Sequence, residues 1–414
     1  MEEFAQEFRV SARGLQVGMF VARLDRPWLD TRFPLQGFLI RDEADLEALR
    51  NQCSHAWVDV ARGLSPDPRF IELTDSSVVE AAREREEYQA LRRTEWTLGS
   101  SFEDELPQAE QAHASLEQGI AELMADVDAG RKLDVARLRQ GVDAMVDSVT
   151  RNPAAFGWLK ELKRRDDYTY QHALSCSVWA ASFGRHLGLE RDEICELALG
   201  GLLFDVGKTR VPAALLSKDA GLDAHESAQM RRHVEHGLAI LGDTPGIGAA
   251  VLEMVETHHE RHDGSGYPRG LAGSAIPIAG RILGIVDTYD ALTTLRSHAA
   301  GLAPHQAVAE LYRVRGTLFQ SELVEQFIQT CGIYPTGSLV ELSDGYVGVV
   351  TAVHSLKRLR PSVMLLLDPE HRPLPQFATV DLGDAGAGDG GAVSIVRGLP
   401  RGAYGIDPAE LFLD

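Results

Sequence analysis

Between about Pro107 and Cys331 the apolar residues recur three and four positions apart, as in Leu116, Ile120, Leu123, Met124 and Val127. A helical period held over that length leaves an α-helical bundle as the arrangement that buries every stripe. Within it, ten of the 14 histidines fall between His172 and His305. Several occupy places where the helical register calls for a core residue. Tyr168, His172, Cys176, Trp179 and Phe183 share one face, so His172 points into the bundle. The same register groups His233 with Met230, Val234 and Leu241, and His258 with Val251, Met254 and Val255, with His259 at the edge of that face.

Two carboxylates behave alike. Asp205 ends the apolar run Leu197 to Phe204, and Asp287 interrupts Ile282 to Tyr289. A buried carboxylate is costly unless it is paired or bound to a metal. Taken singly, each His reads as a hydrogen-bonded core imidazole and each Asp as a cap or an internal ion pair. Four inward His with two inward Asp on one bundle instead suit a first-row metal such as Fe, Mn or Zn.

Shorter elements precede and follow the bundle. Before about Gly63, β-like runs (16–24, 37–40, 56–60) surround a short helix at 43–49, which predicts a small α+β domain over 1–63. Residues 64–107 read as a charge-dense linker or helical arm, 108–334 as the helical domain, and 335–414 as a small β-module with a glycine-rich loop at 384–391 and a short tail. The fold class is therefore mainly α with a small module at either end. The formal net charge of −20 opposes broad contact with nucleic acid or anionic lipid, so an anionic substrate needs positive charge supplied locally. No apolar run approaches the ~18 residues of a membrane span, and the first residues do not form a leader. Cys53, Cys176, Cys195 and Cys331 are scattered and read as reduced core residues, which together predicts a cytoplasmic protein.

His172, Asp205-Val-Gly-Lys208, Met230-Arg-Arg-His233, His258-His-Glu-Arg, Asp263-Gly-Ser-Gly-Tyr-Pro-Arg-Gly270 and Asp287-Thr-Tyr-Asp-Ala-Leu-Thr293 together resemble the HD-GYP family, the cyclic di-GMP phosphodiesterases of the HD metal-hydrolase superfamily. The resemblance runs from about Asp166 to Phe327. Leu15-Gln-Val-Gly-Met-Phe-Val, Leu24-Asp-Arg-Pro-Trp-Leu-Asp30 and Gln36-Gly-Phe-Leu-Ile40 resemble the uncharacterised domain that often precedes it. By that resemblance His172, Asp205 and Asp287 hold one metal, and Asp205, His233, His258 and His259 hold its neighbour, with Asp205 as the bridge. The resemblance also implies one or two divalent ions, Fe or Mn, and catalytic roles for Asp205 and Lys208. Lys208, Tyr267 and Arg296 match positions that contact substrate phosphates. The expected partner is cyclic di-GMP in bacterial second-messenger signalling, with room for diguanylate-cyclase-type proteins and a homodimer, and without nucleic acid or membrane.

Three positions depart from the family pattern. Phe204 stands where the signature has a histidine, and a phenyl ring cannot donate to a metal. Tyr168 stands where some members have a carboxylate, and Ala299 where a further basic residue is found. Three readings follow: a working cyclic di-GMP phosphodiesterase, a degenerate HD-GYP protein that binds cyclic di-GMP or a partner protein as a receptor, and a different HD phosphohydrolase.

Overall fold

The computed structural model describes residues 7–25, 37–60, 62–67, 70, 75–131, 133–162, 168–216, 218, 221–294, 301–353, 360–383, 393–400 and 402–406. The chain divides into two compact units, residues 1–85 and 86–414.

In the first unit, strands β1 (Glu7–Ser11), β2 (Phe20–Leu24), β3 (Phe38–Leu39) and β4 (His55–Asp59) form an antiparallel sheet in the order β1-β4-β2-β3. Helix α1 (Glu43–Gln52) opens on Asp42, whose carboxylate accepts from the Asp45 amide at 2.9 Å. Its Leu46 and Leu49 join Val10, Met19, Val21 and Val58 in one small core. Strand β1 is not legible in the sequence, since its five residues carry only a brief alternation. Helix α2 (Asp75–Leu91) follows in the chain.

The second unit is built of α3 (Phe102–Asp128), α4 (Ala136–Arg151), α5 (Pro153–Leu162), α6 (Tyr168–Leu187), α7 (Arg191–Leu203), α8 (Ala213–Leu216), α9 (Ala224–Arg231), α10 (His233–Leu241), α11 (Ala249–Thr257), α12 (Ile278–Thr293), α13 (Pro304–Arg313) and α14 (Ser321–Cys331). Helix α3 starts five residues before Pro107, capped by Ser101, so this proline lies inside the helix rather than at its start. Helix α7 is apolar on nearly every side and is accordingly central, touching α4, α6, α11 and α12. Phe327 of α14 meets Trp179, Phe183 and Tyr289 edge to face, with ring centres 5.1–6.0 Å away, and thereby ties α14 to α6 and α12.

Residues 339–398 form an antiparallel sheet in the order β8-β7-β6-β5-β9: β5 (Leu339–Leu342), β6 (Val347–Ala352), β7 (Ser362–Leu367), β8 (Pro373–Asp381) and β9 (Ile395–Gly398). Its Leu339, Val347 and Leu366 pack with Trp158 of α5, so the module covers one side of the bundle. Neither β8 nor β9 is legible in the sequence. Strand β8 is largely exposed and shows no apolar alternation, and β9 is short; it lies in the stretch read as a tail and pairs with β5. The loop expected at 384–391 lies outside the described residues.

One ion pair between a buried carboxylate and an exposed guanidinium shows how the bundle depends on pH. Glu105 is only 1% exposed and accepts from Nε and Nη2 of Arg151, each at 2.8 Å, and from Ser100 Oγ at 2.7 Å. Burial acts to raise its pKa, but the Arg151 and Ser100 hydrogen bonds outweigh burial and hold the carboxyl below its ordinary 4.5. A depressed folded-state pKa adds stability that is complete above the unfolded value and is lost as pH falls through the folded one. Arg151→Met is therefore expected to cost about 1.5–3 kcal/mol at neutral pH in a urea titration, with the deficit shrinking as pH falls through the ordinary carboxyl range and Glu105 protonates in both proteins.

Candidate metal centre

Five elements meet at one point inside the bundle. Helix α6 supplies His172, the chain beyond α7 supplies Asp205, α10 begins with His233, α11 ends into His258 and His259, and α12 carries Asp287. After Asp205 the chain makes a tight 3-10 turn, Val206–Arg210. The turn runs so close to α10 that a Cβ on Gly207 would lie 1.9 Å from the His233 carbonyl oxygen. Glycine at that place is what brings Asp205 and His233 side by side.

Hydrogen bonds on the far side of each ring set its orientation. His233 Nδ1 donates to the Met230 carbonyl and His258 Nδ1 to the Val255 carbonyl, each at 2.9 Å. A carbonyl can only accept, so each ring carries its proton on Nδ1 and turns a bare Nε2 toward Asp205. The Nε2 atoms lie 3.3 Å (His233) and 3.8 Å (His258) from Asp205 Oδ1. His172 Nδ1 donates to Asp290 Oδ2 at 2.8 Å, and its Nε2 lies 3.4 Å from Asp205 Oδ2 and 3.2 Å from Asp287 Oδ1. His259 Nδ1 lies 3.7 Å from Asp287 Oδ2.

Three of the four imidazoles are held neutral and both carboxylates are held ionised. Burial lowers the pKa of His233, lowers that of His258 to about 4, and lowers that of His259 well below the ordinary value, so all three are neutral imidazoles at neutral pH. Burial opposes ionisation of Asp205, yet Lys208, His172 and His233 hold it well below the usual carboxylate range. Burial likewise opposes ionisation of Asp287, which His172 and His259 hold low. Burial also works against charge on His172, but its carboxylate neighbours raise its pKa well above the ordinary value. Asp205 Oδ1, fully enclosed, accepts no hydrogen bond among the described residues. A buried carboxylate oxygen without a donor, facing two bare imidazole nitrogens, is what a divalent ion would satisfy. Asp205, His233, His258 and His259 form one set able to hold such an ion, and His172, Asp205 and Asp287 form another.

Phe204 sits in the wall of this second set, 1% exposed, stacked on His258 with ring centres 4.7 Å apart and edge-on to His172 at 5.9 Å. Cys176 Sγ lies 3.7 Å from His172 Nδ1, and burial pushes its thiol up to about 12, so it packs as a neutral group. Lys208 pairs with Asp205 Oδ2. Tyr267 lies over His259 with ring centres 4.6 Å apart, and the Arg231 guanidinium covers its ring at 4.7 Å. Arg296 and Ala299 lie outside the described residues, as does the side chain of Tyr168.

Sequence reasoning missed two supporting carboxylates. Glu260, buried, accepts from the Arg269 and Leu271 amides at 2.7 and 2.9 Å and so ties down the turn that carries Tyr267. No sequence pattern marks that role. Asp290 stands three residues after Asp287 on α12, and this helical spacing is the signal that could have found it. Asp290→Asn keeps the shape but removes the charge that orients His172. It is expected to weaken metal binding about 10–100-fold, measured by competition with a fluorescent chelator.

A helical bundle that gathers four imidazoles and two carboxylates at its centre has the donors of a metal-binding protein. The chain matches the HD domain over residues 157–323, a domain of unknown function over 8–138, and a KOW domain associated with HD domains over 339–386. A cyclic di-GMP phosphodiesterase of Pseudomonas aeruginosa is 33% identical over 389 residues, 92% of this chain and 90% of that one. A 3'3'-cGAMP-specific phosphodiesterase of Vibrio cholerae is 31% identical over 52% of this chain and 42% of its own. Among solved structures, an HDGYP protein from Bdellovibrio bacteriovorus covers 78% of this chain and 98% of its own at 16% identity and a TM-score of 0.46. The chain belongs to the HD-GYP family of HD domain proteins. Among the described residues, no helix is long and apolar enough to cross a membrane.

Proposed function

We propose that this chain is a metal-dependent phosphodiesterase that hydrolyses cyclic di-GMP, with Asp205 at the junction of its two donor sets. The observation that carries this reading is the convergence of bare imidazole nitrogens on an Asp205 oxygen that has no hydrogen bond. The family relationship supports the choice of substrate. Fe(II) or Mn(II) would be held by Asp205, His233, His258 and His259, and a second, weaker ion by His172, Asp205 and Asp287. A bound divalent metal supplies a water acidic enough to ionise near neutral pH and positive charge for the attacked phosphate.

The remaining tasks fall to side chains. His233 and His258 hold their Nε2 atoms toward the ion because backbone carbonyls fix their Nδ1 protons. Asp290 does the same for His172. Lys208, beside Asp205, is placed to offset charge that develops on the phosphate oxygens. Tyr267 and Arg296 complete the phosphate contacts by family position. In a chain of net charge −20, these residues and the metal form the local positive field that an anionic substrate requires. We assign catalysis to residues 108–334 and auxiliary roles to the segments before and after. We place the protein in the cytoplasm, where it meets diguanylate-cyclase-type signalling proteins and itself forms a homodimer.

Phe204 favours a second reading, a cyclic di-GMP receptor without turnover, because it leaves the second donor set one imidazole short. A panel of cyclic di-GMP, 3'3'-cGAMP and bis-p-nitrophenyl phosphate, with Mn(II) present and products separated by chromatography, tests the assignment. Preferential linearisation of cyclic di-GMP is expected. Binding of cyclic di-GMP without product would leave the receptor reading, and preferential turnover of another phosphodiester would assign a different HD phosphohydrolase.

A further inference from the structure

Arg231 stands in the last turn of α9, two residues before His233. It is exposed, and among the described residues no carboxylate pairs with it. Other arginines of the bundle are matched: Arg139 with Glu196 at 2.6 Å, Arg191 with Asp147 at 2.7 Å, and Arg232 with Glu235 at 3.5 Å. A helix ordinarily offers a counter-charge three or four residues away. Around Arg231 those places hold Ser227, Ala228 and Val234, and the remaining one, Glu235, is engaged by Arg232. Glu226, the acid on α9, already accepts from Lys218 and, at 2.9 Å, from the Asp223 amide.

What the guanidinium does touch is the Tyr267 ring, whose centre lies 4.7 Å away. The same ring lies over His259, with centres 4.6 Å and planes 30° apart, and stands nearly perpendicular to His233 at 6.4 Å. One ring therefore separates this cation from two imidazoles of the four-donor set. Against an aromatic ring a guanidinium uses its flat face. The N–H donors in its plane stay available for a pair of phosphate oxygens.

Cyclic di-GMP carries two phosphodiesters in one closed ring, so while one is at the metals the other is held a short, fixed distance away. Lys208 pairs with Asp205 at the centre and serves the first. On the reading that cyclic di-GMP is the substrate, we propose that Arg231 holds the second, the phosphate that is not being cleaved. In a chain of net charge −20, a guanidinium without a carboxylate, one ring away from the metal ligands, is where that anion is drawn.

The test uses the full chain loaded with Mn(II), with cyclic di-GMP beside bis-p-nitrophenyl phosphate, a diester that has no second phosphate. Affinity for cyclic di-GMP is read as KM where the protein turns over and as Kd by calorimetry where it does not. Arg231→Gln changes an exposed side chain and should fold normally; it is expected to weaken cyclic di-GMP about 10-fold or more. Where there is turnover, the ratio of kcat/KM for cyclic di-GMP to that for bis-p-nitrophenyl phosphate should fall by a similar factor. Arg231→Lys keeps the charge without the planar fork and should recover part of the loss. Arg232→Gln, next in the chain and paired with Glu235, should match wild type. If Arg231 only supported Tyr267, both substrates would slow alike and the ratio would not move. That result, or wild-type affinity in Arg231→Gln, would overturn the assignment while leaving cyclic di-GMP as the substrate. A wild type that neither binds nor cleaves cyclic di-GMP would overturn it together with the functional reading.

Discussion

Asp205→Asn is expected to reduce hydrolysis of cyclic di-GMP about 10³-fold or more while leaving the fold intact. The substitution is isosteric, so packing against Phe204 and Val206 is unchanged, and what disappears is the negative charge shared by both donor sets. Four groups lean on that charge: His233 and His258 through Oδ1, and His172 and Lys208 through Oδ2. A neutral amide would bind a divalent ion through its oxygen alone and would aim N–H donors at imidazoles or at the metal. Metal-centred charge stabilisation is worth several kcal/mol, and each 1.36 kcal/mol is tenfold in rate. Metal content by mass spectrometry of the native protein and single-turnover hydrolysis check the two halves of this expectation. Wild-type turnover in Asp205→Asn would remove Asp205 from the mechanism.

Phe204→His is expected to act in the opposite direction. The phenyl ring lies between His172 and His258, in the wall of the three-donor set. An imidazole there adds a fourth donor to a site that has His172, Asp205 and Asp287. Removing a supporting residue around a metal costs about 10–100-fold in affinity, so gaining a direct donor is expected to tighten the weaker site by about 100-fold. The measured ratio should move to two ions per chain, and turnover at limiting metal should rise with it. The fold should become somewhat less stable, since a fully buried phenyl ring is exchanged for a polar one. Unchanged metal stoichiometry in a folded Phe204→His protein would show that the ring position does not face the ion.

Much of this centre was readable in the sequence because helices repeat. His172, His233, His258 and Asp287 each interrupt an apolar stripe at core spacing, and the structure places all four within the same buried cluster. What periodicity cannot express is the side-chain detail beyond the inward face. Glu260 acts through two backbone amides nine and eleven residues ahead, a contact set by the shape of a turn. Asp290 was visible as an i+3 neighbour, yet its partner is 118 residues away on another helix. Strands β8 and β9 were hidden for a different reason. These two strands have few inward residues of their own, so their pairing is set by the backbone ladder rather than by alternation. Gly207 is plain in the sequence, but the need for glycine is clear only once α10 is seen against it.

The most direct test of the central claim is hydrolysis of cyclic di-GMP by the purified wild-type chain, loaded anaerobically with Fe(II) or Mn(II) and assayed with and without chelator. The account predicts metal-dependent turnover that chelator stops and added metal restores. Tight binding of cyclic di-GMP with no product at any metal loading, and product only after Phe204→His, would contradict it and leave a receptor built on the same donor set.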